Sequence, residues 1–226
     1  MFSFAAYLFD IDGTLVNSRD GVHYYAFHSA LRQIYEVDCR IDNIPVHGNT
    51  DIGILRAATR LEGVSDFDFQ KKLPAALDHM RAQVARNCEH MHPELCPSVV
   101  ELASALRKAG KLLGVVSGNL EAIGWAKLER AGLRSYFDFG SFSDRTELRQ
   151  EIFRQGVAEA RRRLGNPQAT VCLLGDTPAD ISAAQKIAIP IIALGTGGYT
   201  TQELQQYRPT ACFDCCTSLL ASIAKL

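Results

Sequence analysis

The hydrophobic and polar positions of this chain alternate between two patterns. Residues 4–9 form an uncharged apolar run that ends at Asp10, and from residue 97 onward short apolar runs alternate with segments of helical periodicity. Uncharged apolar runs are typical of strands buried on both faces, and strands that alternate with helices are typical of a parallel sheet covered by helices. The pattern therefore predicts an α/β fold with a Rossmann-like, doubly wound parallel sheet.

The elements of this part are bounded by recognisable signals, such as Gly110 and Gly132 at the ends of two helical segments. The periodicity predicts helices over residues 99–109, 120–131, 146–164 and 179–187. It predicts strands over residues 112–116, 136–139, 170–174 and 189–194, and an edge strand over residues 211–213.

Residues 17–94 interrupt this alternation, because their periodicity is that of helices and not of strands. Helices are predicted over residues 22–36, 51–61 and 69–86, and a Gly/Pro/Asn connection over residues 41–49. We therefore predict two domains. They are an α/β core formed by residues 1–16 and 95–226, and an inserted α-helical cap domain formed by residues 17–94.

Composition and charge narrow the range of partners. The chain has 226 residues and a net charge of -1, so it has no electrostatic footprint for nucleic acid or for an anionic membrane surface. No apolar run approaches the ~20 residues that a membrane span needs, and the first run lacks the basic start of a secretion signal. We therefore expect a cytoplasmic protein, with monomer and homodimer both open.

The cysteines do not suggest a disulfide framework, because there are seven of them at irregular spacings. Cys88, His90, His92 and Cys96 gather four side chains that bind soft metals, but their spacing matches no standard zinc site. We interpret this segment as a connector.

The segment Asp10-Ile11-Asp12-Gly13-Thr14 carries the chemistry that is easiest to recognise. Because side chains alternate along an extended chain, Asp10 and Asp12 can face one reacting centre at the exit of a strand. Two neighbouring carboxylates repel each other, which indicates a Mg²⁺-like cation or an acid that is kept protonated. Thr14 can offer a hydroxyl and an amide to an anion.

Two further strands end in polar loops. Ser117-Gly118-Asn119 places a hydroxyl and free amides before a helix, which is an anion site or, alternatively, only an N-cap. Asp176 follows a later strand, and Asp180 lies one helical turn beyond it. Asp180 can orient a group around a metal, or it can be part of a capping box that begins at Thr177.

These motifs resemble the haloacid dehalogenase-like hydrolase superfamily, on its phosphoglycolate phosphatase-like branch. Asp10 to Thr14 match the family's D-x-D-G-T motif, Ser117 matches the second motif, and Gly175, Asp176 and Asp180 match G-D-x-x-x-D. The resemblance implies a Mg²⁺-dependent phosphatase acting on a small phosphorylated substrate. Asp10 would be the nucleophile and Asp12 the acid and base. Asp10, Asp12 and Asp176 would hold the metal, and Asp180 would orient a group around it without binding it directly.

The third motif of the family is usually a Lys. This chain departs from it, because no Lys occurs between Lys127 and Lys186. We expect Arg145 to bind phosphate together with Ser117, Gly118 and Asn119. Arg149 is the second choice, and Arg145 can alternatively be a surface partner of Asp144.

Polar residues of the predicted cap are candidates for recognition of the leaving group. The chief candidates are Thr50 and Asp51. Further candidates are His47, Asn49 and Arg56 in the cap, and Asn17 and Ser18 at the hinge into it. Each can equally be an ordinary polar residue. Three other functions stay open at this point: a dehalogenase, a phosphomutase on the same site, and a regulatory protein that binds phospho-ligands without turnover.

Overall fold

The computed structural model describes residues 3–44 and 46–223, without the side chain of Asn43. Residues 1, 2 and 224–226 of the predicted core and residue 45 of the predicted cap lie outside the described residues. The strands are β1 (Ala6–Phe9), β2 (Val16–Asn17), β3 (Glu94–Leu95), β4 (Leu112–Val116), β5 (Phe139–Ser141), β6 (Val171–Gly175), β7 (Ile191–Leu194) and β8 (Ala211–Phe213). The helices are α1 (Val22–Ala30), α2 (Asp51–Leu61), α3 (Asp66–Asn87), α4 (Val99–Lys108), α5 (Glu121–Arg130), α6 (Arg149–Arg163), α7 (Pro178–Lys186), α8 (Thr201–Gln205) and α9 (Cys216–Ile223).

The central feature is a six-stranded parallel sheet in the order β5-β4-β1-β6-β7-β8. Strand β1 lies between β4 and β6, with Leu8 paired to Gly114 on one side and to Leu173 on the other. The predicted α/β fold is therefore confirmed. The three strands whose ends carry acidic or hydroxyl residues are neighbours in this sheet.

Both faces of the sheet are covered, which explains why its strands carry no charge. Tyr7 and Phe9 point to the face that packs against Leu102 of α4 and Leu219 of α9. Ala6 and Leu8 point to the opposite face, in the core cluster that includes Phe153 of α6 and Ile181 of α7. The period of two along β1 thus divides its side chains between two apolar cores.

The helices of residues 17–94 have a core of their own. Phe27, Leu55 and Met80 come from three different helices and are almost fully buried together. This core extends to Leu120 and Ile123 at the start of α5. The short antiparallel pair of β2 and β3 joins the two ends of the segment, which we call the helical segment. Its status as a separate domain with boundaries at residues 17 and 94 stays a prediction.

Several elements differ in extent from their prediction. The strand predicted over residues 136–139 begins at Phe139, because a 3₁₀ turn occupies Arg134–Tyr136 and Phe139 pairs with Gly114. The helix predicted from residue 146 begins at Arg149, since Thr146 is extended with a φ of -153°. Helix α3 starts at Asp66, where Ser65 accepts a hydrogen bond from the Asp68 amide. Helices α8 and α9 were not predicted. Among the described helices, none combines the length and the apolar character needed to cross a bilayer.

Candidate active site

Three neighbouring strands deliver polar residues to one edge of the sheet. Asp10 follows β1, Ser117 follows β4 and Asp176 is the first residue after β6, and each of them is at most 3% exposed. Because parallel strands end at the same edge, these residues line one cleft of about 550 Å³ below the helical segment. The structure thus brings together the strand-end residues that the sequence singled out.

Asp10 is buried and only partly neutralised. Its Oδ2 lies 3.3 Å from Nη2 of Arg149, whereas its Oδ1 is buried without a hydrogen-bond partner among the described residues. Burial raises the pKa of Asp10 to about 7, with the charges of Asp180 and Asp12 adding to the effect and that of Arg149 opposing it. A cation beside Oδ1 would favour the ionised carboxylate.

Asp176 and Asp180 lie next to Asp10 but have different partners. Asp176 Oδ1 accepts a hydrogen bond of 3.1 Å from the Thr14 hydroxyl, and burial together with the Asp180 and Asp10 charges raises the pKa of Asp176 well above its usual value. Asp180 Oδ2 forms the capping box with Thr177, and its Oδ1 accepts 2.8 Å from Arg149. The capping-box interpretation of Asp180 is therefore confirmed, while its role in orienting a group around a metal stays a prediction.

Arg149, and not Arg145, is the cation beside Asp10. Arg149 is 8% exposed, and its guanidinium bridges Asp10 and Asp180. Arg145 is exposed at the end of a 3₁₀ turn and makes no contact with the cleft among the described residues. Asp144 is paired with Arg81, so the alternative in which Arg145 pairs with Asp144 is not seen either. The geometry therefore favours Arg149, the second choice, over Arg145 as the candidate phosphate-binding cation, because the turn at residues 143–145 leaves the Arg145 side chain in solvent.

Asp12 faces the cleft and is held by two neighbours. Lys127 Nζ lies 2.8 Å and 2.7 Å from its two carboxylate oxygens, and Asn119 Nδ2 donates to Oδ2 at 2.8 Å. Burial acts to raise the pKa of Asp12, but the charge and hydrogen bond of Lys127 outweigh it, so this pKa lies below its ordinary value. Asp10 and Asp12 thus have opposite pKa shifts although they are two residues apart.

The loop after β4 lines the cleft and does not cap α5, so the interpretation as an anion site stays a prediction. The Ser117 hydroxyl accepts from Asn119 Nδ2 at 2.8 Å, and all three residues of Ser117-Gly118-Asn119 line the cleft. Neither Ser117 nor Asn119 is the N-cap of α5, since the cap position is Leu120. A Cβ on Gly118 would lie 2.4 Å from the Asn49 carbonyl oxygen, so the helical segment packs directly on this loop.

The donor set fits a divalent metal ion. Among the described residues, Asp10, Asp176 and Asp180 each offer an oxygen, and these oxygens lie within 4.8 Å of one another. Since Asp180 is already occupied by Arg149 and Thr177, Asp10 and Asp176 are the carboxylates left for a metal. Two cations, Arg149 and Lys127, lie among the four carboxylates of the motifs, which are those of Asp10, Asp12, Asp176 and Asp180. A hard divalent ion would balance the two negative charges that remain.

Thr50 and Asp51 lie at the contact between the helical segment and the sheet. Thr50 caps α2 and donates to the Glu147 carbonyl at 3.0 Å. Asp51 accepts from the Leu120 amide at 2.8 Å and pairs with His23 at 3.1 Å. Asp51 and His23 line the cleft, whereas Thr50 does not. Thr50 therefore has a structural task, and His23 is a cleft residue that the sequence did not single out.

Lys127 is the other residue that sequence reasoning missed. It is 2% exposed on the face of α5 that also buries Ile123, one helical turn earlier. The signal that could have identified Lys127 is its spacing of four residues from Ile123, which places it on the apolar face of the helix. A lysine on such a face needs a buried partner of opposite charge.

Comparison with known proteins places the chain in a family. The sequence profile described as haloacid dehalogenase-like hydrolase matches residues 7–194. The chain belongs to the haloacid dehalogenase-like hydrolase family. The match includes every strand-end motif described above, so the resemblance noted from these motifs is confirmed.

Relatives place this haloacid dehalogenase-like hydrolase on the phosphatase branch. The chain is 29% identical to the probable phosphatase IndB of Dickeya dadantii over 92% of this chain and 88% of the relative. It is 27% identical to a phosphoglycolate phosphatase of Mesorhizobium japonicum, over 95% and 93% of the two chains. The fold is similar to that of CbbY from Rhodobacter sphaeroides in complex with xylulose-(1,5)bisphosphate, with a TM-score of 0.68, 20% identity and coverage of 94% and 95%.

Proposed function

We propose that the protein is a Mg²⁺-dependent phosphomonoester hydrolase that acts on a small phosphorylated metabolite through an aspartyl-phosphate on Asp10. The observation that carries this proposal is the buried Oδ1 of Asp10, which has no hydrogen-bond partner in the described part of the chain and lies beside Asp176, in a cleft that Ser117 and Arg149 also line. A carboxylate can attack phosphorus when cations and hydrogen-bond donors neutralise the phosphoryl oxygens.

The chain's own residues supply most of the steps. Arg149 and the Ser117 loop bind the phosphoryl oxygens, while the Asp10 carboxylate attacks phosphorus and forms the acyl-phosphate. Asp12 is ionised beside Lys127 in the free protein, takes up a proton as the negatively charged phosphoryl group enters beside it, and gives this proton to the leaving oxygen as the ester bond breaks. The Asp12 carboxylate then takes a proton from the water that attacks the phosphorus, which releases phosphate and regenerates Asp10.

The metal has one contribution in this scheme. Asp10, Asp176 and the Asp12 carbonyl would hold Mg²⁺, which would supply positive charge that offsets repulsion between the nucleophile and the phosphoryl group. Thr14 keeps Asp176 in place through its hydroxyl.

We also propose that the helical segment is a cap that excludes bulk water from the cleft. Its loop packs on the sheet edge, where Asn49 contacts Gly118 and Gly48 contacts Thr177.

The substrate proposed first is phosphoglycolate, because a relative of similar length carries that name and because CbbY binds a small bisphosphate. A panel of small phosphomonoesters, assayed with Mg²⁺ and with a chelator, tests this choice. Turnover of other esters in preference to phosphoglycolate would leave the reaction in place and change only the substrate.

The nucleophile is tested by Asp10→Asn, which preserves the shape of the side chain and removes its negative charge. We expect phosphate release to fall by a factor on the order of 10⁴ or more, as for the loss of other catalytic nucleophiles. Mass spectrometry of the quenched wild-type reaction should find the phosphate on Asp10. A variant that keeps substantial activity would falsify this assignment.

A further inference from the structure

Lys127 is a buried cation that the proposed mechanism does not use. Its ammonium group has three protons, and it has three acceptors: both oxygens of Asp12 and Oδ1 of Asn119, at 2.8, 2.7 and 2.9 Å. The side chain is 3% exposed. Because all three ammonium protons of Lys127 have acceptors on Asp12 and Asn119, Lys127 orients these two side chains and does not act through its charge alone.

These contacts determine which way the Asn119 amide points. An ammonium group can only donate, so the oxygen of Asn119 must face Lys127 and its NH₂ group must face away. That NH₂ group donates to Asp12 Oδ2 and to Ser117 Oγ, at 2.8 Å each. Lys127 therefore controls Asp12 directly and Ser117 through Asn119.

The orientation of the Ser117 proton follows from this chain of hydrogen bonds. Because Ser117 Oγ accepts the Asn119 N–H, its own proton is left for a different acceptor, and Ser117 lines the cleft. A phosphoryl oxygen in the cleft is the acceptor that the proposed reaction supplies.

We propose that Lys127 is a positioning residue: it fixes the Asp12 carboxylate at the leaving group and, through Asn119, turns the Ser117 hydroxyl proton towards the phosphoryl group. The inference rests on the proposed phosphatase function and extends it to a second cation on α5. Lys127 touches neither Asp10 nor the phosphoryl group in this scheme, so its effect on turnover passes through Asp12 and Ser117.

The test compares two esters in Lys127→Met, with Lys186→Met on the exposed end of α7 as a matched control. An alkyl phosphate needs a proton on its leaving oxygen, whereas nitrophenyl phosphate does not. For the alkyl ester we expect kcat to fall by about 100-fold, the size of a general-acid contribution, and for nitrophenyl phosphate by about tenfold at most. Lys127→Gln serves as the second variant if Lys127→Met does not fold.

Two further measurements separate positioning from a structural role. The loss on the alkyl ester should be non-additive with that of Asp12→Asn, because both variants remove one function. Affinity for inorganic phosphate, measured by calorimetry, should weaken by about tenfold in Lys127→Met, since the Ser117 proton is no longer directed. Lys186→Met should match the wild type in each assay.

Equal losses on both esters with unchanged phosphate affinity would overturn the inference and leave the phosphatase function intact. Unchanged turnover in Lys127→Met would do the same. If the wild type hydrolyses no ester, the proposed function fails instead. The phosphate affinities of the two proteins then decide about Lys127, because they do not depend on turnover.

Discussion

At the scale of single residues, the site is a balance between carboxylates that repel one another and the cations placed among them. Asp10 and Asp12 are two residues apart, yet Asp10 is buried and one of its oxygens has no hydrogen-bond partner among the residues described, while the Asp12 side chain is 43% exposed and paired with Lys127. Their pKa values move in opposite directions for that reason. The proposed nucleophile Asp10 therefore needs a cation beside its carboxylate to be fully ionised at neutral pH, whereas Asp12 already has one in Lys127.

The two arginines near the third motif give a matched pair of variants. Arg149→Met should lower kcat/KM by a factor of about 10² to 10³, as expected for loss of a preorganised charge at the phosphoryl group. It should also lower the melting temperature, because Asp180 is fully buried and would lose its cation. Steady-state kinetics and thermal unfolding provide both measurements.

Arg145→Met is the control for that experiment, since it removes an exposed arginine four residues earlier. Its kcat/KM should stay within about twofold of the wild type, in line with surface substitutions. A larger loss in Arg145→Met than in Arg149→Met would assign phosphate binding to Arg145.

At the scale of elements, the loop of residues 143–148 links the sheet to the helical segment. Asp144 pairs with Arg81 of α3 at 2.8 Å, and Glu147 Oε2 accepts from Arg56 of α2 at 2.6 Å. The loop leads into Arg149, whose Nε donates to the Gly48 carbonyl at 3.1 Å. The position of the helical segment is therefore coupled to the cation beside Asp10.

The Arg56–Glu147 pair provides a test of this coupling. Glu147→Gln removes one charge of a pair in which the Arg56 side chain is 15% exposed and the Glu147 side chain 34% exposed, and we expect kcat/KM to fall by about three- to tenfold as the helical segment is held less firmly. A double-mutant cycle with Arg56→Met should give a coupling of about 0.5 to 1 kcal/mol in thermal or denaturant unfolding. Hydrogen exchange at residues 48–51 should increase in Glu147→Gln.

The control is Glu151→Gln, because Glu151 pairs with Arg154 within α6 and touches no other element through that pair. It should leave both turnover and exchange unchanged. Additive effects in the Arg56–Glu147 cycle, with unchanged exchange at residues 48–51, would show that the pair does not hold the cap.

At the scale of the whole molecule, the cluster of acids makes folding depend on pH and on metal. The pKa of Asp10 is about 7 in the folded protein and about 3.8 in an unfolded chain, and that of Asp176 is raised in the same direction. Without metal, the folded state thus binds more protons than the unfolded state. Its free energy of unfolding falls as pH rises through this interval, from about 4 to about 7.

Mg²⁺ should reverse this loss, because it binds the deprotonated carboxylates. At a concentration about 100-fold above its Kd, we expect it to raise the melting temperature by about 5–10 °C near pH 8. Near pH 5 the increase should be much smaller, because protons compete for the same oxygens. Scanning calorimetry with Mg²⁺ and with a chelator measures both shifts.

Asp10→Asn is the control, since it removes a proposed ligand and one of the titrating groups. Its melting temperature should depend less on pH and respond little to Mg²⁺. Equal Mg²⁺ shifts at both pH values, or an undiminished shift in Asp10→Asn, would argue against a metal at this cluster.

The sequence by itself determined the α/β fold and the strand-end motifs at Asp10, Asp12, Ser117 and Asp176. These features are local: the period of two and the apolar runs are written in consecutive residues, and the ends of parallel strands always meet at one edge. The first and last residues of the elements were harder to predict from the sequence. Helix α6, for example, begins only at Arg149, because the 3₁₀ turn before it has no clear sequence signature.

Only the tertiary structure decided which cations complete the site. Arg149 and Lys127 reach Asp10 and Asp12 from positions that are 139 and 115 residues away in the chain. Their selection depends on how α5 and α6 are rotated against the sheet and on the path of the loop before α6. Those rotations are determined by packing between distant elements, and a charge is accepted in such a place only when folding brings it against an opposite charge.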